Sequence, residues 1–126
     1  MSQFNDDGYK TFECDEAIAQ YARVKLDSDG KITTAGLTDK GIGVLRDESF
    51  AAGEKKAVKL NSAPGTMKMI ASEAIAAGAE VYSEASGKVQ DTAQATAYLV
   101  GVALEAATAD GDVIEVMPQI GDTAAS

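Results

Sequence analysis

The chain contains an internal repeat, and this repeat constrains the fold more than any other feature of the sequence. A shift of 57 positions carries the first copy onto the second, and one inserted residue later the shift becomes 58. The matched residues are glycines and aliphatic residues, which fix turns and inward-facing positions. Self-similarity over a fixed period indicates a duplicated structural unit. The clearest matches are Ala17-Ile18-Ala19 with Ala74-Ile75-Ala76, Gly30-Lys31-Ile32 with Gly87-Lys88-Val89, and Gly43-Val44 with Gly101-Val102.

Each copy has the same order of short extended runs and glycine-containing turns. In the first copy the turn is Asp27-Ser28-Asp29-Gly30, a strong hairpin signal because glycine accepts positive φ without a Cβ clash. The second copy has Ser86-Gly87, a weaker form of the same signal. The pattern predicts an all-β fold of about nine short strands, a small sandwich or barrel built from two pseudo-repeated units. Each unit is small, so we expect the two to bury their apolar faces against each other.

The predicted boundaries follow from composition. Residues 1–13 are predicted to be an extended N-terminal arm, and residues 14–118 a single β domain. The repeat units run over about 17–62 and 67–117, joined near Pro64-Gly65. Residues 119–126 are expected to form a loose C-terminal tail.

The charge balance limits the possible partners. The chain has 11 basic and 20 acidic residues, a net charge of −9, and a pI near 4.3. This balance opposes nucleic-acid binding, because little positive charge offsets phosphate repulsion. No apolar run approaches the ~20 residues that span a bilayer, and the N-terminus lacks a signal pattern. We therefore expect a soluble protein, made in the cytosol, that binds neither nucleic acid nor membrane.

The sequence offers little for catalysis. Histidine, the usual acid–base group near neutral pH, is absent. Cys14 is the only cysteine, so it has no intrachain disulfide partner and no histidine base; a small buried hydrophobe is the favoured interpretation. Asp27-Ser28-Asp29-Gly30 opens like a calcium loop, but the closing bidentate Glu is missing. We predict no enzyme, and no catalytic, metal or cofactor-binding residue.

Met67-Lys68-Met69 has two interpretations. It resembles the Met-Lys-Met motif of biotin carrier domains, in which Lys68 would be the attachment point at a hairpin tip. The alternation over Thr66–Ile70 instead favours a strand that links the two halves and packs its methionines inward.

Two segments carry candidate partner-binding residues. Aromatic side chains on the arm indicate docking onto a partner, or else they cover one edge of the domain. The loop over residues 45–53 corresponds to residues 104–111, and loops on a rigid β scaffold commonly carry partner contacts. The candidates are Phe4, Tyr9 and Phe12 on the arm, and Arg46, Asp47 and Glu48 on the loop.

The repeat motifs also carry a family resemblance. They are Ala74–Val81, Gly87-Lys88-Val89, Val100–Ala106 and Gly111–Val116, with their first-copy equivalents. This series resembles the capsid cement, or head decoration, proteins of tailed bacteriophages, over roughly residues 17–117.

The resemblance implies a β-rich structural protein of the virion that binds the outer surface of the phage head. It implies a homotrimer at local three-fold positions that stabilises the shell by bridging major capsid subunits. In many members an N-terminal arm binds the shell, which suits the aromatic segment here. A tail-associated or adhesive β module remains the alternative.

Overall fold

The computed structural model describes residues 8–121, and its regular structure is β apart from one 3₁₀ turn at Ala85–Gly87. The all-β prediction is confirmed. The described residues form ten strands rather than about nine: β1 Tyr9–Glu13, β2 Arg23–Leu26, β3 Ile32–Thr34, β4 Gly43–Leu45, β5 Lys55–Leu60, β6 Met67–Ile70, β7 Glu80–Ser83, β8 Val89–Gln90, β9 Leu99–Ala103 and β10 Val113–Pro118.

The strands form two five-stranded antiparallel sheets with the same internal order. The first sheet runs β1-β5-β4-β2-β3, and the second runs β6-β10-β9-β7-β8. The registers also correspond, since Gly43 pairs with Leu60 and Gly101 pairs with Pro118, 58 positions further along. The two pseudo-repeated units predicted from the sequence are therefore present in the backbone.

The first repeat unit begins earlier than predicted, at β1. Strand β1 pairs with β5 as β6 pairs with β10, so β1 and β6 are equivalent, and β6 is part of the second unit and more than a link between the halves. Residues Tyr9–Glu13 pair along their whole length with β5, from Tyr9 opposite Lys59 to Glu13 opposite Lys55. Aromatic and β-branched residues at Tyr9, Thr11 and Phe12 suit a pleated strand. The second half of the predicted arm is thus an edge strand of the first sheet. Phe4 and the rest of residues 1–7 lie outside the described residues.

The predicted loose tail also begins with anchored residues. The Gln119 N–H donates to the Val100 carbonyl (2.9 Å) and the Gly121 N–H to the Leu99 carbonyl (2.9 Å). The Ile120 side chain packs on the core of the second unit. Residues 122–126 lie outside the described part of the chain.

The glycines inside the apolar runs, Gly43 and Gly101, lie at close backbone contacts. A Cβ at Gly43 would overlap the Lys59 carbonyl oxygen, and a Cβ at Gly101 would overlap that of Met117. The Asp27–Gly30 turn is confirmed as a hairpin, since the Asp27 N–H donates to the Lys31 carbonyl (2.7 Å) and Gly30 has φ +83°.

The core is divided between the units, which corrects the expectation that they bury each other's apolar faces. Each unit encloses its own cluster, and few side chains cross over: Val44 and Tyr21 pack into the second cluster, and Ile70 packs against the first. Cys14 is fully buried in the first cluster, as favoured from the sequence. The first cluster consists of Cys14, Ile18, Ala22, Val24, Ile32, Leu45 and Val58. The second consists of Val44, Met67, Met69, Ala71, Ile75, Val81, Val89, Val100, Ala103, Ala107, Ile114 and Val116.

Candidate functional site

A buried arginine joins the two units. The Arg23 side chain on β2 is only 3% exposed, and it donates four hydrogen bonds to main-chain carbonyls. Two acceptors, Gly36 (3.0 Å) and Asp39 (3.1 Å), belong to the first unit. The other two, Glu84 (3.0 Å) and Lys88 (3.1 Å), belong to the second. Burial lowers the pKa of Arg23 to about 10, although Asp39 and Glu84 act in the opposite direction.

Further contacts seat the β7–β8 turn of the second unit against the first. The Ser83 hydroxyl donates to the Leu37 carbonyl (2.6 Å), and the Gly87 N–H donates to the Ala35 carbonyl (2.8 Å). A Cβ added at Gly87 would lie 2.8 Å from the Ala22 Cβ, so only glycine fits this approach. The two units are therefore held in a fixed relative position.

A groove of about 470 Å³ lies where the units meet. Three cations on its lining lie beside aromatic rings. Arg46 and Lys59 are each 5.9 Å from the centre of the Tyr9 ring, and Lys68 is 5.6 Å from that of Tyr21. Such pairs are attracted through the negative face of the ring.

Two carboxylates on the groove lining are already engaged. Glu115 Oε2 accepts from the Thr66 hydroxyl (2.6 Å), and Glu105 Oε1 accepts from the Glu115 N–H (2.8 Å). The groove lining thus combines two aromatic rings with charges of both signs. Among the described residues, no group of three or more His, Cys, Asp or Glu side chains is placed to hold a metal ion.

The structure places Tyr9 of the predicted arm beside Arg46 of the predicted loop, and it places Phe12 elsewhere. Tyr9, 36% exposed at the edge of the first sheet, lies beside Arg46. Phe12, on the same strand, is half-buried against the first core cluster and covers the edge of the domain. Asp47 pairs with Arg46 (Oδ2 to Nε, 3.1 Å), and Glu48 is exposed.

The same loop carries an aromatic residue that sequence reasoning missed. Phe50 is 73% exposed, although its loop is well anchored. Ser49 and Ile18 exchange main-chain hydrogen bonds (2.9 and 3.0 Å), and the Phe50 N–H donates to Glu54 Oε2 (3.2 Å). A comparison of the two copies could have indicated that Phe50 is exposed, because its equivalent in the second copy is the polar residue Thr108.

Lys68 lies within β6 opposite Glu115, not at the tip of a hairpin. Met67 and Met69 on either side are buried, at 2% and 1% exposure. The prediction of inward-packing methionines is confirmed, and the placement of Lys68 contradicts the biotin-carrier alternative. No helix in the described part of the chain has the length and apolar character to cross a bilayer.

Comparison with known families identifies the class of protein to which this β fold belongs. The model of the phage cement protein family matches residues 36–118, so the chain belongs to that family. Membership gives it a structural, capsid-associated role in a phage. No curated protein matches the chain.

The fold is also similar to a solved structure, the crystal structure of the head fiber gp8.5 N base in bacteriophage phi29. The TM-score is 0.72 at 17% sequence identity, and the match covers 88% of this chain and 92% of that one. At this identity the likeness concerns the fold alone.

Proposed function

We propose that this chain is a non-enzymatic cement protein that binds the outer surface of a phage head and bridges neighbouring major capsid subunits. The observation that carries the proposal is Phe50, a largely exposed aromatic side chain on an anchored loop. Exposed aromatics in fixed positions are frequent centres of protein–protein interfaces.

The loop is suited to binding because most of its ordering is complete before contact. The hydrogen bonds of Ser49 and Phe50 fix the backbone, so binding orders little besides the Phe50 ring. Arg46, held beside the Tyr9 ring, adds a second side-chain type that is enriched at interfaces. Asp47 and Glu48 add charge at the rim, where it favours correct partners over wrong ones.

A homotrimer at local three-fold positions would multiply a weak single contact. Three linked loops engage the shell at once, and effective concentration raises the overall affinity by roughly 10²–10⁴. This binding requires no chemical reaction, which suits a chain without histidine.

The test is binding of the purified protein to phage heads that lack it, with Phe50→Ala and Thr108→Ala compared. We expect Phe50→Ala to weaken binding about tenfold or more, the effect of losing one interface hot spot. The matched control, Thr108→Ala, alters the equivalent position of the other unit and should bind as wild type. Wild-type binding by a folded Phe50→Ala variant contradicts the proposal.

The arm is tested separately by deleting residues 1–7, which leaves strand β1 intact. If Phe4 and its neighbours contact the shell, the truncated protein folds with an unchanged melting temperature but binds heads more weakly. Deletion through Glu13 is the wrong test, because it also removes an edge strand. Full binding by the truncated protein rejects the role of the arm.

A further inference from the structure

The loop over residues 45–53 contains three consecutive exposed residues, which we name the crest: Phe50, Ala51 and Ala52. The crest presents an apolar surface, because the Phe50 side chain is 73% exposed. In the second unit, the equivalents of Phe50 and Ala52 are the polar residues Thr108 and Asp110. Of the two equivalent loops, only that of the first unit therefore carries an apolar crest.

Two exposed carboxylates flank the crest. Glu48 lies two positions before Phe50. Asp15 lies at the other end, because the Gly53 N–H, directly after the crest, donates to the carbonyl of Cys14, the residue before Asp15 (2.8 Å). The second unit has an uncharged residue at each of these two positions: Ser72 and Ala106. The two carboxylates therefore accompany the crest and are not part of the backbone pattern that the units share.

The other acids of this region are engaged within the molecule. The Glu16 carboxylate accepts from a main-chain N–H, and its equivalent in the second unit does the same. The ion pairs are Arg46 with Asp47 (3.1 Å), Lys56 with Glu54 (3.6 Å), and Lys31 with Glu13 (3.4 Å), which also lies opposite Lys55 on β5. In the described part of the chain, Asp15 and Glu48 form no ion pair. Glu13 and, to a smaller extent, Asp15 raise the pKa of Lys31, so Glu48 is the less compensated of the two charges.

We infer that the crest enters an apolar pocket of its partner protein, and that lysine or arginine side chains border this pocket. The inference rests on the proposed function, and it names the chemistry of the shell site that receives Phe50. The exposed ring supplies the apolar contact, because aromatic side chains are frequent centres of interfaces. Negative charges beside the ring are complementary to a basic border and oppose an acidic one.

Charges at the border of an interface act mainly on the association rate. Opposite charges steer two partners together, and salt weakens the steering because it screens charges beyond the Debye length, about 3 Å at 1 M. Loss of the Asp15 and Glu48 charges should therefore slow association at low salt and have little effect at high salt. Loss of the Phe50 ring should instead speed dissociation at either salt concentration.

The test is the rate at which the full chain associates with immobilised phage heads that lack it, at about 50 mM and about 1 M salt. At low salt we expect Glu48→Gln to associate about twofold more slowly than wild type, and the double variant Asp15→Asn, Glu48→Gln about three- to tenfold more slowly. At high salt the rates should converge. Glu80→Gln, which removes one negative charge from an exposed position of the second unit, is the control and should associate as wild type. Equal melting temperatures check that the variants fold.

The outcomes separate this inference from the proposed function. Wild-type or faster association of the double variant at low salt, or a slowing by Glu80→Gln equal to that by Glu48→Gln, overturns the basic border. If Phe50→Ala still dissociates faster in the same assay, the proposed function stands without that border. Wild-type rates for a folded Phe50→Ala variant contradict the proposed function, and the inference falls with it.

Discussion

The two units of this molecule share a backbone and differ in what the backbone presents. Cys14 bridges Ile32 in the first unit, and Ala71 bridges Val89 at the same place in the second. Ile18 bridges Ser49, and its equivalent Ile75 bridges Ala107. The two copies therefore share the same β-bridge pairing although most of their residues differ.

Side chains that bind the backbone are kept as well. Glu16 accepts from the Thr34 N–H (3.0 Å), and Glu73, 57 positions later, accepts from the Asp91 N–H (3.1 Å). These carboxylates satisfy main-chain donors, which otherwise remain unpaired where strands turn.

The side chains on the surfaces of the two units differ. Arg23 anchors the second unit, but Glu80 at the equivalent position is exposed. Phe50 projects from one loop, while Thr108 in the other is bonded to Asp112. The comparison teaches that the two units keep equivalent residues where these set the backbone and differ in the side chains that they expose.

The largest effect is expected from the paired glycines. Gly43→Ala and Gly101→Ala each place a Cβ against a backbone carbonyl, which cannot move aside as a flexible side chain can. We expect each to lower the free energy of unfolding by about 4 kcal/mol, measured by urea denaturation. Gly36→Ala is the control, since the nearest atom is Asp39 Oδ2 at 3.3 Å. A mild effect at only one of the pair would break the equivalence of the units.

At the equivalent positions Arg23 and Glu80, in contrast to the paired glycines, substitution should change the free energy of unfolding by different amounts. Arg23→Met leaves carbonyls of both units without a donor, and we expect a loss of about 2–3 kcal/mol in urea denaturation. Glu80→Gln, on an exposed surface, should change stability by less than about 0.5 kcal/mol. Equal effects would show that Arg23 does not join the units.

The divided core predicts additivity. Ile18 and Ile75 occupy equivalent positions in separate clusters, and each is 2% exposed. Ile18→Val and Ile75→Val should each cost about 1 kcal/mol, and the double variant should cost their sum. A coupling energy above about 0.5 kcal/mol in this double-mutant cycle would argue for one shared core.

Local signals made the turns and the glycine contacts predictable, but features that depend on distant partners were not. Asp27–Gly30 carries its hairpin signal within four residues. Gly43 lies within an apolar run, and a glycine in such a run indicates that another backbone segment approaches closely. Strand β1 pairs with β5, whose position cannot be inferred from residues 9–13 alone. A single sequence therefore assigned those residues to an arm.

The same limit applies to the site. A charge within the run Ala22-Arg23-Val24 is normally expected to face solvent, yet all three residues are buried. Arg23 is buried because its guanidinium donates to the carbonyls of Glu84 and Lys88, which lie 61 and 65 positions later in the sequence and are brought near only by the fold. Phe50 was not among the sequence candidates, because aromatic residues usually lie in the core. Tyr9 and Arg46 were candidates on separate segments, and only the fold shows that they lie beside each other.

The smallest effect concerns the acid that closes the second loop. Asp112 Oδ2 accepts from the Thr108 N–H (2.8 Å), the Thr108 hydroxyl (2.9 Å) and the Ala109 N–H (3.1 Å). These bonds favour the carboxylate and lower the pKa of Asp112 below its ordinary 3.8. The folded state thus binds this proton more weakly than the unfolded state does. The resulting stability is present above the unfolded pKa and is lost as pH falls through the folded value.

Asp112→Asn removes the charge and should flatten this acid-side loss, measured as melting temperature between about pH 2 and pH 7. Near neutral pH the variant should melt slightly below wild type. Glu54→Gln is the matched control, because Glu54 accepts one main-chain bond, from Phe50, where Asp112 accepts bonds from two N–H groups and a hydroxyl. Its melting temperature near neutral pH should fall less than that of Asp112→Asn. Curves for wild type and Asp112→Asn that stay parallel through the acid range would show that Asp112 does not contribute in this way. In that case the loop that contains Thr108 would be held by its main-chain hydrogen bonds alone. The equivalent loops of the two units would then be stabilised in the same way, although their side chains differ.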